Sequence, residues 1–160
     1  MTILRDFGPV HRTDPKDVAG VVGADVDVAL VDDDPVMAAL VKRILSTRGY
    51  SVTWFADGLT AVAALCLPTV SLRARLILLD VSMPGMGGFD VLHRLQRDRV
   101  LDHSRVIMLT ASASEQDVRK AIGLGATGYL AKPLDISVLL GRVYSVLRRH
   151  SAVSPTGEVR

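Results

Sequence analysis

Aromatic residues are scarce in this chain, with one Trp, three Tyr and three Phe among 160 residues. So few rings argue against a stacking platform for single-stranded nucleic acid. An excess of one charge is missing as well. Nineteen Lys and Arg stand against 17 Asp and Glu, and a net charge of +2 is too small to hold a polyanion. Cys66 is the only cysteine, which excludes an internal disulfide and a cysteine-based metal cluster. No apolar run approaches the ~20 residues that a membrane helix needs, and no basic segment followed by an apolar one opens the chain. The expectation is a cytoplasmic protein that uses neither nucleic acid nor membrane. A hydrophobic share of 49% in a chain of this length suffices for one sizeable core.

What is present is alternation. Residues 1–24 carry Pro9, Pro15 and several glycines without a sustained period, and read as a loosely held extension. From residue 25 to 149 strand-like and helix-like runs take turns, and 150–160 form a polar tail. VDVALV reads as a strand. After Pro35 the apolar set Met37, Leu40, Val41, Ile44 and Leu45 recurs at helical spacing, and Gly49 reads as its C-terminal cap. Tyr50, Val52 and Trp54 alternate as in a strand, and an Ala- and Leu-rich helix then runs from about Leu59 to Pro68. LILLD is a third strand, followed by the helix GFDVLHRLQRD. RVIMLT is a fourth strand, and Ser112 with Glu115 three residues later predicts a capping box on the next helix. GYLAK is a fifth strand. Asp135 caps a last helix that ends in the basic residues Arg148, Arg149 and His150, suited to the negative pole of the helix. Five strands alternating with five helices predict an α/β fold: a doubly wound, flavodoxin-like parallel sheet with helices on both faces.

Four apolar runs end on polar residues. VALVDDDP ends in acids, LILLDVSMPG in Asp80, VIMLTA in Thr110 and GYLAKP in Lys132. In a doubly wound sheet the ligand site lies beyond the carboxyl ends of the strands, so these endings converge. Pro35 suits the first helical position, which makes Asp34 the N-cap and leaves Asp32 and Asp33 to the crevice with Asp80. Two carboxylates about 4 Å apart repel by roughly 4 kcal/mol at an effective dielectric near 20. A hard divalent cation relieves such an all-oxygen cluster, Mg²⁺ foremost and Mn²⁺ as a substitute. Lys132 adds a fixed positive charge and Thr110 a hydroxyl. Cation, ammonium, hydroxyl and carboxylate nucleophile together meet the needs of phosphoryl transfer. Each residue alone has a plainer reading as cap, loop or surface residue. Their order at successive strand ends is what speaks for a site. His11, His93, His103 and His150 have no metal-ligand spacing and read as surface; Met83 and Met86 read as packing around Pro84.

The constellation resembles the receiver domain of two-component response regulators. The likeness covers about residues 26–149 through LVDDDP, LILLDVSMPGMGG, VIMLTA, GATGYLAKP and the terminal helix. It implies that Asp80 accepts a phosphoryl group from a histidine kinase or a histidine phosphotransfer protein. It implies that Asp33, Asp80 and the backbone carbonyl of Ser82 bind Mg²⁺, with Asp32 acting through water. Lys132 would pair with the phosphate, Thr110 would hydrogen-bond it, and Tyr129 would be the switch aromatic that turns inward as Thr110 moves. A cis Lys132–Pro133 bond is frequent in the family. The likeness also implies a signalling module that assists only its own phosphorylation, not an enzyme, and that passes its signal to a downstream protein as a monomer or phosphorylation-dependent dimer. Gly87 departs from the family's usual aspartate and predicts a softer helix start. About ten residues follow the last helix, so a stand-alone receiver is expected.

Two other readings compete. ALVDDDPV fits the first motif of a haloacid-dehalogenase-type phosphatase, with Asp32 as nucleophile and Asp34 as acid. That reading needs an acidic pair on a later strand, where only Asp135 and Glu158 remain, and it gives Asp80 no role. A receiver-like binding module that is never phosphorylated would be marked by loss of the aspartate, the acid pair or the lysine. All of these are present.

Overall fold

The computed structural model describes residues 23–151 apart from 71 and 113, without the side chains of 149–151. The expected extension up to residue 22, the tail from 152 and the basic side chains at 149 and 150 lie outside the described residues. Five strands, β1 (Asp25–Val31), β2 (Val52–Phe55), β3 (Arg73–Asp80), β4 (Arg105–Thr110) and β5 (Gly128–Ala131), form one parallel sheet in the order β2-β1-β3-β4-β5. Between and after them run α1 (Pro35–Ser46), α2 (Gly58–Cys66), α3 (Gly88–Arg97), α4 (Glu115–Gly123) and α5 (Ile136–Ser151). The doubly wound fold expected from the alternation is the one observed.

Both faces of the sheet are covered, which explains why the central strands read as continuous apolar runs. On one face Val28, Leu30, Leu76, Leu78, Ile107 and Leu109 pack under α1 and α5. On the other, Ala29, Val31, Ile77, Leu79, Val106 and Met108 meet α2, α3 and Ala121 of α4. The chain reverses direction across the sheet after β2, so β1 and β3 are neighbours whose following helices lie on opposite faces. Their carboxyl ends therefore flank an open crevice.

Local chemistry sets most boundaries. Asp34 caps α1, its carboxylate accepting the N–H groups of Val36 and Met37 at 2.9 and 3.2 Å, and Pro35 opens the helix. Asp135 likewise accepts the N–H of Val138 at 3.0 Å. Gly87 caps α3 without a side-chain bond, as expected of a glycine there. Gly88 is required for space, because a Cβ would collide with the carbonyl oxygen of Asp80 and lie 2.8 Å from the Cα of Val81.

Two expectations shift. The C-cap of α1 is Thr47, and Gly49 takes the left-handed turn (φ 84°) two residues later. The cap of α4 is Ser114 rather than Ser112: the Ser114 hydroxyl accepts the Asp117 N–H at 3.1 Å and donates to its carboxylate at 2.7 Å. The backbone carbonyl and N–H of Ser112 both bond the Thr110 hydroxyl, so Ser112 belongs to the loop after β4.

Candidate functional site

Asp32 follows the last residue of β1 and is fully buried. A bare carboxylate there would be costly, and its partners show how it is tolerated. It accepts the Asp34 N–H at 2.9 Å and the Lys132 ammonium at 2.8 Å. Asp80 closes β3 in the middle of the sheet, 4% exposed, with Lys132 Nζ at 3.2 Å and the Ser82 N–H at 3.3 Å. Asp33 is exposed at the mouth. Oxygens of Asp32, Asp33 and Asp80 all lie within 4.8 Å of one another. Lys132 reaches the two buried acids from just past β5, its side chain 19% exposed, and the Lys132–Pro133 peptide that follows it is cis.

The electrostatics are those of a crowded anionic site. Burial, and then the charge of Asp32, push the Asp80 carboxyl above its usual value, with Lys132 pulling the other way. Burial works against the Lys132 ammonium, but its bond to Asp32 and the charges of Asp32 and Asp80 outweigh that and raise its pKa. One lysine does not fully neutralise this cluster. An all-oxygen, under-neutralised donor set suits a hard divalent cation, so the residues present fit Mg²⁺.

The Thr110 hydroxyl does not point to this pocket as a free donor. It donates to the Ser112 carbonyl at 2.8 Å and accepts the Ser112 N–H at 3.1 Å, so the loop after β4 holds it. Tyr129 packs half-buried against the α2–α3 side of the core, and its buried hydroxyl has no hydrogen-bond partner among the described residues. Ser82 is exposed beside Asp80.

The remaining candidates fall away from the crevice. His93 and His103 are exposed, whereas Met83 and Met86 pack into the core beneath α2 and α3. Burial and then Asp98 push the Cys66 thiol up to about 11, which removes it as a nucleophile at neutral pH. Asp34 and Asp135 each commit a carboxylate oxygen to a helix cap, and neither belongs to the cluster of Asp32, Asp33 and Asp80. No described helix is long and apolar enough to cross a membrane. One contact had no signal in the sequence beyond strand alternation: the Trp54 indole N–H donates to the backbone carbonyl of Asp32 at 2.8 Å.

Comparison with known proteins agrees with this geometry. Residues 28–144 match the family described as the response regulator receiver domain. The chain is 38% identical over 122 residues to the DNA-binding dual master transcriptional regulator RpaA of Synechocystis, covering 76% of this chain and 49% of that protein. It is 38% identical over 141 residues to the transcriptional regulatory protein CpxR of Klebsiella pneumoniae, covering 82% of this chain and 57% of the relative. The chain thus spans about half the length of the curated relatives it matches. Among solved structures, the chemotaxis protein CheY4 of Vibrio cholerae superposes with a TM-score of 0.68 at 31% identity, covering 77% of this chain and 99% of its own.

Proposed function

This chain belongs to the response regulator receiver domain family, a family of signalling modules rather than classical enzymes, and from that premise we propose that it takes a phosphoryl group onto Asp80. The observation that carries the proposal is Asp80 itself. It is a buried carboxylate at the end of the central strand, with the acid pair on one side and Lys132 on the other. In the transfer an Asp80 oxygen bonds to phosphorus as the P–N bond of a donor phosphohistidine breaks, and the departing imidazole keeps that electron pair. Asp33, Asp80 and the Ser82 carbonyl would hold Mg²⁺ or Mn²⁺, with Asp32 acting through water, and the cation would supply charge neutralisation for the phosphoryl oxygens. Lys132 moves part of its pairing from Asp32 to the phosphate. Thr110 exchanges the Ser112 carbonyl for a phosphate oxygen.

The donor is a histidine kinase or histidine phosphotransfer protein, and the signal passes to a downstream protein in the cytoplasm. The receiver unit is residues 25–149, with 1–24 and 150–160 as flanking segments. The test is chemical. After acetyl phosphate and Mg²⁺, borohydride reduction and peptide mass spectrometry are expected to find the modified residue at 80. Asp33→Ala is expected to weaken the label. Modification at Asp32 that survives Asp80→Asn would return the phosphatase reading.

Phosphorylation is expected to bias Thr110 and Tyr129 together and so to remodel the face made by α4, β5 and α5. α4 supports this, because Ala121 is its only fully buried residue while Ile122 is 64% exposed. Beryllofluoride with Mg²⁺ should shift backbone NMR signals across residues 110–131. Shifts restricted to the neighbourhood of 32, 80 and 132 would argue against transmission to that face.

A further inference from the structure

We infer that Trp54 is a positioning residue for the cation site, an assignment that rests on the phosphoacceptor reading above. β1 ends at Val31, so the backbone of Asp32 leaves the ladder just where the acid pair begins. Both of its backbone groups are nevertheless held, and both by the end of β2. The Asp32 N–H donates to the Phe55 carbonyl at 3.1 Å, and the Asp32 carbonyl accepts the Trp54 indole N–H at 2.8 Å. The second bond is buried, and Trp54 is only 7% exposed.

The geometry gives this bond a specific consequence. The Asp32 carbonyl and the Asp33 N–H belong to one rigid peptide plane. Fixing that carbonyl fixes the plane, and with it the position of the Asp33 Cα from which the exposed side chain departs. The Asp32 carboxylate is separately clamped by the Asp34 N–H and Lys132. Asp33 has no such clamp on its carboxylate among the described hydrogen bonds, so Trp54 supplies the constraint through the backbone. A cation that needs oxygens from Asp32, Asp33 and Asp80 together gains from having that plane set beforehand.

The ring alone does not do this. Phenylalanine at 54 would keep apolar packing on the α1–α5 face but leave a buried carbonyl unpaired, free to rotate toward another donor. The expected effect on cation binding is that of one lost buried hydrogen bond, roughly three- to tenfold in the dissociation constant.

The experiment is calorimetric titration of MgCl₂ into the wild type, Trp54→Phe and Phe55→Leu. Trp54→Phe is expected to weaken Mg²⁺ binding about three- to tenfold. Phe55→Leu removes comparable buried volume from the same strand but leaves the indole bond, and is expected to bind within a factor of about two of wild type. Because Trp54 is the only tryptophan, its emission gives a second readout. Bound Mg²⁺ should change that emission in wild type and in Phe55→Leu but not in Asp33→Ala. Equal affinity of Trp54→Phe and wild type, or equal weakening in Phe55→Leu, would overturn the positioning role while leaving the cation site intact. No Mg²⁺ binding by wild type would overturn the cation site itself and the positioning role with it.

Discussion

Asp80→Asn is expected to take up no phosphoryl group from acetyl phosphate and, in metal-free buffer at neutral pH, to melt above the wild type. The first half follows from the chemistry, since an amide oxygen is no substitute for a carboxylate nucleophile. The second follows from the electrostatics of the crevice. Burial and the neighbouring Asp32 raise the Asp80 pKa, so its ionised form is less comfortable in the fold than in the unfolded chain. For an acid with a raised folded pKa, that penalty is complete above the folded value. It fades as the pH falls through the folded value and is gone below the ordinary value of 3.8. The advantage of Asp80→Asn should therefore be largest near pH 7 and should shrink on acidification. Saturating Mg²⁺ should also shrink it, by stabilising the wild type through the same carboxylate. Calorimetric melts near pH 7 and pH 4, each with EDTA and with Mg²⁺, measure all of this. A lower melting temperature for Asp80→Asn in EDTA at pH 7 would mean that the attraction to Lys132 outweighs both burial and Asp32.

Lys132→Met is expected to destabilise the metal-free protein by about 3 kcal/mol, the cost of stripping a buried charge of its partner. The methionine keeps an unbranched apolar stem, so the change is mainly the loss of the ammonium. That ammonium stands 2.8 Å from Asp32, which has no solvent exposure, and 3.2 Å from Asp80. Without it two buried carboxylates face each other, and only the Asp34 N–H still bonds Asp32 among the described side-chain contacts. The pH dependence has the opposite sign to that of Asp80. Burial lowers the Lys132 pKa, but Asp32 and then Asp80 outweigh it and the folded value is raised above 10.5. The stability it contributes is complete below 10.5 and is lost as the pH climbs through the folded value, so at neutral pH the whole effect is visible. Urea melts in EDTA at pH 7 measure the loss, and the double variant with Asp80→Asn should lose less than Lys132→Met alone. A loss below about 1 kcal/mol would place Lys132 among ordinary surface pairs. Labelling of Lys132→Met by acetyl phosphate should also slow, because the same ammonium meets the phosphoryl oxygens.

What the sequence determined by itself was the sheet and the place of the site. Strands covered on both faces must be apolar at every position, so LILLD and RVIMLT stand out without any partner. They must also end in polar residues at the open edge, which is why Asp80 and Thr110 were legible as site candidates. Short-range chemistry was equally readable where two residues decide it, as in Asp34 and Pro35 at the start of α1. The tertiary structure decided how these groups are spent. Thr110 has its hydroxyl tied to Ser112, and the cap of α4 moves to Ser114 because two serines compete for the role and only loop geometry chooses between them. Lys132 lies a hundred residues from Asp32 in the chain, yet it is paired more closely with that acid, at 2.8 Å, than with Asp80, at 3.2 Å. The Trp54 indole finds the Asp32 carbonyl only because β2 sits beside β1 with Leu30 opposite Trp54. Periodicity records which face a side chain takes, because backbone geometry repeats locally. Which donor reaches which acceptor depends on strand order and register, and those exist only once the sheet has closed.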